Sequence, residues 1–206
     1  MTQTKQHEQD VDVWVGKRFP LTIRRLGVNG HGIGYYKHKV CFVPGALPNE
    51  VVVAEVTRVL PRYLEAKIHR IRKKSRDRVT PRDEYADIAG GFELENLAYQ
   101  QQLKFKRQVI IDSLEKFQPY GYRNYDVRPT IAAPEEYGYR NKAQFQIRMV
   151  NGKVAAGLYQ PNSHTLVDME TCAVQMPRTM ETVRAVTKMI EDLQIPVYDE
   201  KHNSGI

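Results

Sequence analysis

Strict alternation of apolar and polar positions marks the first third of the chain. In residues 18–24, Phe19, Leu21 and Ile23 fall on one side, and Arg18, Thr22 and Arg24 on the other. Val40 to Val43 is a short apolar run, residues 50–59 alternate around Val51, Val53 and Val56, and residues 64–71 carry Ala66, Ile68 and His69. Gly30-His31-Gly32-Ile33-Gly34 and Pro44-Gly45-Ala46-Leu47-Pro48 punctuate these runs. Short strands at this spacing, separated by Gly and Pro, predict a small antiparallel barrel.

The period then changes. Across residues 97–117, Leu103, Ile110, Leu114 and Phe117 recur at spacings that share one helical face, which predicts an amphipathic helix with a buried stripe. Phe145, Ile147 and Met149 alternate with Gln144, Gln146 and Arg148, and Asn151-Gly152 follows at once. Asn-Gly accepts positive φ at both positions and so predicts a tight hairpin into residues 154–159, with a third strand over 165–168. A second helix is expected over 177–193, opened by Pro177, buried through Met180, Val183, Ile190 and Leu193, and stopped before Pro196. The fold class is α+β. The expected division is a disordered N-terminus over 1–11, a barrel over 12–72 and a mixed α/β domain over 73–206 carrying a strand meander and two helices.

Charge sharpens the first of these domains. The chain has 206 residues and a formal net charge of +7. Residues 12–80 hold 15 Lys and Arg against 5 Asp and Glu, whereas residues 81–206 hold 15 against 17. Positive charge concentrated on one small domain is the footprint of a polyanion binder, against the plainer reading of a solubilising surface. The run Ile71–Arg78 lacks apolar periodicity and reads as a linker, either plain or lying along phosphates. No apolar run nears the roughly 20 residues of a membrane span, and the polar first ten residues carry no signal-peptide pattern, so a cytoplasmic location is the default. Two cysteines, Cys41 and Cys172, exclude a disulfide framework and read as buried thiols.

Candidate chemistry is sparse. The Gly30–Gly34 segment fits neither dinucleotide nor P-loop spacing; it is either a turn or a loop that lets a phosphate or base approach the backbone. The six histidines show no ligand spacing, and no nucleophile–base pairing of a hydrolase is present. Tyr139-Arg140-Asn141-Lys142-Ala143-Gln144-Phe145 gathers cations, amides and aromatics at a strand entrance. That mixture suits RNA, unless the rings are core and the charges merely solvated.

At these residues the sequence resembles the bacterial S-adenosylmethionine-dependent 23S rRNA (uracil-5-)-methyltransferases. Gly27, Gly30–Gly34 and Phe42-Val43-Pro44-Gly45-Ala46-Leu47-Pro48-Asn49-Glu50 resemble the family's N-terminal TRAM domain, an OB-like barrel, with Pro-Asn-Glu where Pro-Gly-Glu is usual. Gly90-Gly91, Leu94, Leu97-Ala98-Tyr99, Gln102-Leu103-Lys104-Phe105-Lys106, Tyr139–Lys142 and Cys172-Ala173-Val174-Gln175 resemble its central domain. Many members hold a [4Fe–4S] cluster on four cysteines. Those positions are Asp83, Ala89, Phe92 and Cys172 here, which implies a clusterless branch, since a cubane needs about four thiolates.

The resemblance implies a 23S rRNA partner, S-adenosylmethionine as the cofactor of a full-length parent, and no catalytic residue in this chain, the Rossmann-like catalytic domain being expected beyond Ile206. No DNA partner is expected, and dimerisation through an exposed strand edge stays open. The expected RNA contacts are Lys17, Arg24, Arg25, His31, Tyr35, Lys37 and Lys39 in the barrel, with Arg140, Asn141, Lys142 and Gln144 beyond it. Two alternatives stand beside this reading: a free-standing RNA-binding protein of the translation apparatus, and a tRNA uracil-5-methyltransferase, against which the N-terminal barrel argues.

Overall fold

A computed structural model describes residues 13–199 and 202–205. The N-terminal stretch expected to be disordered, and Ile206, lie outside the described residues. The chain divides into two compact units, Met1–Arg78 and Val79–Ile206.

The first unit is one sheet of six strands: β1 (Arg18–Thr22), β2 (Arg25–Leu26), β3 (Gly32–Tyr36), β4 (Lys39–Val43), β5 (Val51–Val59) and β6 (Tyr63–Lys73). Their order is β1-β5-β6-β4-β3-β2. The first and last strands of that order are joined in the chain by Ile23 and Arg24 alone, so the sheet curls back on itself. Ile23 N–H donates to Glu50 O at 2.9 Å and Arg24 N–H to Ile33 O at 2.8 Å, tying the curl. The alternating side chains point where period two sends them: Phe19, Leu21, Cys41, Val43, Val52, Ala54, Val56, Leu64 and Ala66 make one buried core with Ile23 and Ala46.

The expectation of a wholly antiparallel barrel is corrected in one place. β4 and β6 run parallel, with Val40 opposite Tyr63 and Phe42 opposite Glu65. β4 leaves through the 44–50 loop to reach β5, which pairs with β1, and the β5–β6 hairpin then returns to the free edge of β4 in β4's own direction.

The linker expected over Ile71–Arg78 is corrected too. Ile71–Lys73 complete β6, and Arg78 is anchored. Its Nε and Nη2 donate to Glu50 at 2.6 and 2.8 Å, and Nη2 also donates to Gly45 O at 2.6 Å. Glu50 has no solvent exposure and further accepts from Leu47 N–H at 2.9 Å and Ser75 N–H at 3.2 Å. One carboxylate thus closes the 44–50 loop against the end of the unit.

In the second unit β7 (Gln146–Val150), β8 (Lys153–Tyr159) and β9 (Leu166–Asp168) form an antiparallel meander in that order. Asn151 and Gly152 take φ of 51° and 80° at the first turn, the left-handed pair that the Asn-Gly signal anticipates. α2 (Pro177–Asp192) begins with Pro177 in its first turn and packs against β8. Its buried residues are Met180, Thr187 and Ile190; Leu193 is exposed, because the helix ends before it.

α1 (Tyr99–Phe117) forms as expected, but its apolar stripe is not buried. No residue of α1 is buried, and Ile110 and Phe117 are exposed. What α1 holds is polar: Thr130 Oγ1 donates to Leu103 O at 2.9 Å, and Arg107 Nε to Val127 O at 2.8 Å.

Candidate nucleic-acid interface

The outer face of the curled sheet has two unlike halves. Over β1, β5 and β6 it is an ion-pair network centred on Glu55. Arg18 Nε lies 2.6 Å, Lys67 Nζ 3.0 Å and His69 Nδ1 3.7 Å from its carboxylate. The hydrogen bonds from Lys67 and Arg18 hold the Glu55 carboxyl below its usual range. One carboxylate faces both Arg18 and Lys67 and so offsets only part of their charge, and Arg70, Arg72 and Lys73 are also exposed on β6.

Over β2, β3, β4 and the start of β6 the face is largely apolar and aromatic, with Ile33 buried, Val40, Phe42 and Tyr63 half-buried, and Arg25 and Glu65 at its edges. Side chains outside the core alternate with those inside it. Arg25 pairs with Ile33, Ile33 with Phe42, Tyr35 with Val40, and Val40 with Tyr63. The Phe42 and Tyr63 rings meet edge to face at 5.4 Å between centroids. Tyr35 is 55% exposed. The β3–β4 turn is made by Lys37 and His38 at φ of 44° and 69°. Asn or Gly favours such a turn, so here a cation and an imidazole are held at the tip at a conformational cost.

Six of the seven barrel residues expected to touch RNA fall on β2–β4 or the segments beside them. Arg24, Arg25, Tyr35 and Lys37 are exposed, and His31 and Lys39 half-buried. Lys37 Nζ lies 5.8 Å from the centre of the Tyr36 ring. His31 is fixed by Asn29, whose side-chain nitrogen donates to Nδ1 at 3.0 Å and whose oxygen accepts from His31 N–H at 3.2 Å. Lys17 lies apart, just before β1, with Nζ 4.2 Å from the centre of the exposed Trp14 ring. Reading the sequence missed Phe42 and Tyr63. Phe42 sits in an unbroken apolar run, where only the alternation with buried Cys41 and Val43 marks it as outward-facing.

The glycine-rich segment is not an open cradle. A Cβ on Gly32 would lie 2.6 Å from Ala46 O, and one on Gly34 would lie 2.7 Å from Leu21 Cγ and Thr22 O. These glycines let β3 press inward against β1 and the 44–50 loop. Of the two expectations for this segment, packing at Gly32 and Gly34 favours the plain structural one over an open backbone.

In the second unit Arg140, Asn141, Lys142 and Gln144 are all exposed just before β7, with Arg140 in a parallel bridge to Gln175 and the other three in coil. Backbone bonds hold the cluster: Arg140 N–H donates to Val174 O at 2.9 Å, Met176 N–H to Arg140 O at 2.8 Å, and Gln175 Nε2 to Lys142 O at 3.2 Å. A nearby groove is lined by Glu84, Glu135, Glu136, Glu170 and Glu181 together with Arg82 and Arg184, a balance in which carboxylates outnumber cations.

Asp83, Ala89, Phe92 and Cys172 do come together. Ala89 and Cys172 are core neighbours with Phe92 packed against them. Asp83 accepts from Ala173 N–H at 2.7 Å and Tyr85 N–H at 3.0 Å. Burial, with the Asp83 charge beside it, pushes the Cys172 thiol up. One protonated thiol, one committed carboxylate and two apolar side chains are not a donor set for an iron–sulfur cluster. Among the described residues no helix is long and apolar enough to cross a membrane.

Comparison with known proteins agrees with this geometry. Residues 12–69 match the TRAM domain family. An uncharacterized RNA methyltransferase of Lactiplantibacillus plantarum is 63% identical over 204 residues, which is 99% of this chain and 42% of that protein. One from Enterococcus faecalis is 46% identical over 93% of this chain and 42% of its own length. The chain therefore spans about two fifths of the curated relatives it matches.

A solved Pyrococcus abyssi tRNA (uracil-54, C5)-methyltransferase, in complex with S-adenosyl-L-homocysteine, shares the fold. The TM-score is 0.57 at 23% identity, over 90% of this chain and 40% of that one. Residues 12–69 are thus a TRAM domain, and the chain aligns along nearly its whole length with about two fifths of relatives named RNA methyltransferases.

Proposed function

We propose that this chain is the RNA-recognition portion of an S-adenosylmethionine-dependent methyltransferase that forms 5-methyluridine in 23S ribosomal RNA. The observation that carries the reading is the positive surplus of the TRAM unit, 15 Lys and Arg against 5 Asp and Glu over residues 12–80, with Arg24, Arg25 and Lys37 exposed on or beside β2 and β3 and in none of the described ion pairs. The curled sheet would act as an OB-like barrel holding the RNA backbone. Arg140, Asn141, Lys142 and Gln144 would add contacts from the second unit. Cofactor binding and methyl transfer would reside in the part of the relatives' length that this chain does not match.

The test is binding of the chain to 23S rRNA hairpins across a salt series, with tRNA and duplex DNA as competitors. Four neutralised phosphates on a single strand give a slope of log K against log salt of about −3. Preference for the hairpins with such a slope supports the reading. Preference for tRNA favours the tRNA enzyme, which the Pyrococcus likeness keeps in view. No binding at low salt overturns RNA recognition altogether. Labelled S-adenosylmethionine should give no methyl transfer with this chain alone, and turnover would overturn the placement of the chemistry.

A further inference from the structure

We infer that Tyr35, Phe42 and Tyr63 form a stacking platform for unpaired RNA bases on the outer face of β3, β4 and β6; this rests on the RNA-binding reading and deepens it. Of the three aromatic side chains on the outer side of this small sheet, Phe42 and Tyr63 are half-buried against each other and Tyr35 stands 55% exposed, which calls for a reason, since an unpartnered ring gains nothing from facing water. The core does not include them: it takes Cys41 and Val43 from β4 and Leu64 and Ala66 from β6, the residues of opposite phase. Tyr35 and Tyr63 lie in one cross-strand row with Val40 between them, and Phe42 lies in the next row along β4. The edge-to-face contact of Phe42 with Tyr63 fixes two of the rings against each other, while the third stands exposed.

The surroundings select the occupant. Arg25 stands at the β2 side of this face and Lys37 at its turn, so an occupant meets rings in the middle and cations at the rim. Bases have a π-face and their backbone carries phosphates, so a single strand answers both features at once. A duplex would present phosphates but no free base faces. Glu65 lies cross-strand from Phe42, and Arg58 lies 4.0 Å from it.

The experiment compares, by fluorescence anisotropy, binding of the 206-residue chain to a labelled oligouridylate and to an abasic ribose-phosphate oligomer of the same length. The chain should bind the uridylate roughly 5- to 150-fold more tightly, the worth of one stacked base. Tyr35→Ala, at an exposed position that folding does not need, should remove most of that preference and leave abasic affinity and its salt slope unchanged. Tyr35→Trp should keep the preference. Phe42→Leu should reduce it while near-ultraviolet circular dichroism confirms an intact fold. Equal affinity for the two oligomers, or a preference that survives Tyr35→Ala and Phe42→Leu, overturns the platform and leaves RNA recognition by charge standing. No binding of either oligomer at low salt overturns both.

Discussion

Removing Arg78 tests how the first unit is held shut. Arg78→Met keeps the length and apolar stem of the side chain and deletes the guanidinium that gives Glu50 two hydrogen bonds and Gly45 O a third. Glu50 is fully buried and would retain only the neutral N–H groups of Leu47 and Ser75. Stripping one partner from a buried ion pair costs about 3–5 kcal/mol. Against a total of about 5–15 kcal/mol for a domain, that is a large fraction, and in a unit of this size it corresponds to a fall in Tm of at least about 12 °C.

The pH dependence separates the ion pair from lost packing. Burial raises the Glu50 pKa, but the Arg78 hydrogen bonds, the Leu47 and Ser75 N–H groups and the Arg78 charge outweigh it, leaving the carboxyl below its ordinary value. A depressed carboxyl pKa gives stability that is fully present above the unfolded value, about 4.3, and is lost as pH falls through the folded value. In Arg78→Met the guanidinium is gone and burial dominates, so the sign reverses. The defect should be largest at neutral pH and shrink toward pH 4 as the carboxyl takes a proton.

Urea unfolding followed by Trp14, the single tryptophan, reports on this unit alone. Glu50→Gln combined with Arg78→Met should recover most of the loss, because no buried charge is left. A loss under about 1 kcal/mol, or a defect that does not change with pH, would refute the reasoning.

Further outcomes follow from other parts of the molecule. Gly157→Ala would place a Cβ 1.9 Å from Val167 O, so β8 and β9 must separate; thermal unfolding of the second unit should drop by about 1–3 kcal/mol, and an unchanged transition would contradict the register. The Cys41 thiol is pushed up to about 12 by burial and Cys172 is raised by burial as well. A thiol reagent at pH 8 should therefore label neither in the native chain and both in denaturant; rapid native labelling would show a reactive site. Lys37→Asn with His38→Gly suits the left-handed turn and should stabilise the hairpin by about 1 kcal/mol. The same pair should lower the RNA salt slope by about 1, so stability and binding move in opposite senses.

Local signals were the legible part of this fold. The Asn151-Gly152 turn, Pro177 at the start of α2 and the inward phase of Phe19 and Leu21 all follow from backbone preference or period two. What the sequence left hidden depends on partners distant along the chain. The parallel pairing of β4 with β6 arises from where the β5–β6 hairpin lands, which no local pattern records. Arg78 looked like part of a linker because its partner, Glu50, is 28 positions away. The α1 periodicity correctly marks a helix face, but periodicity shows which residues share a side and not what covers them. The basic character of the first unit was visible from charge alone. The ring of Phe42 was masked by its apolar neighbours, and Tyr63 became part of the site only once β6 was placed beside β4.

The most direct test of RNA recognition by the TRAM unit is ultraviolet crosslinking of the chain to 4-thiouridine-substituted 23S rRNA hairpins, with the adducts mapped by mass spectrometry. The account predicts adducts concentrated in peptides covering β2 to β4 and the start of β6, with Tyr35 or its neighbours among the modified residues, and their loss as salt rises. Adducts confined to residues 79–206, or none in the first unit at low salt, would contradict it.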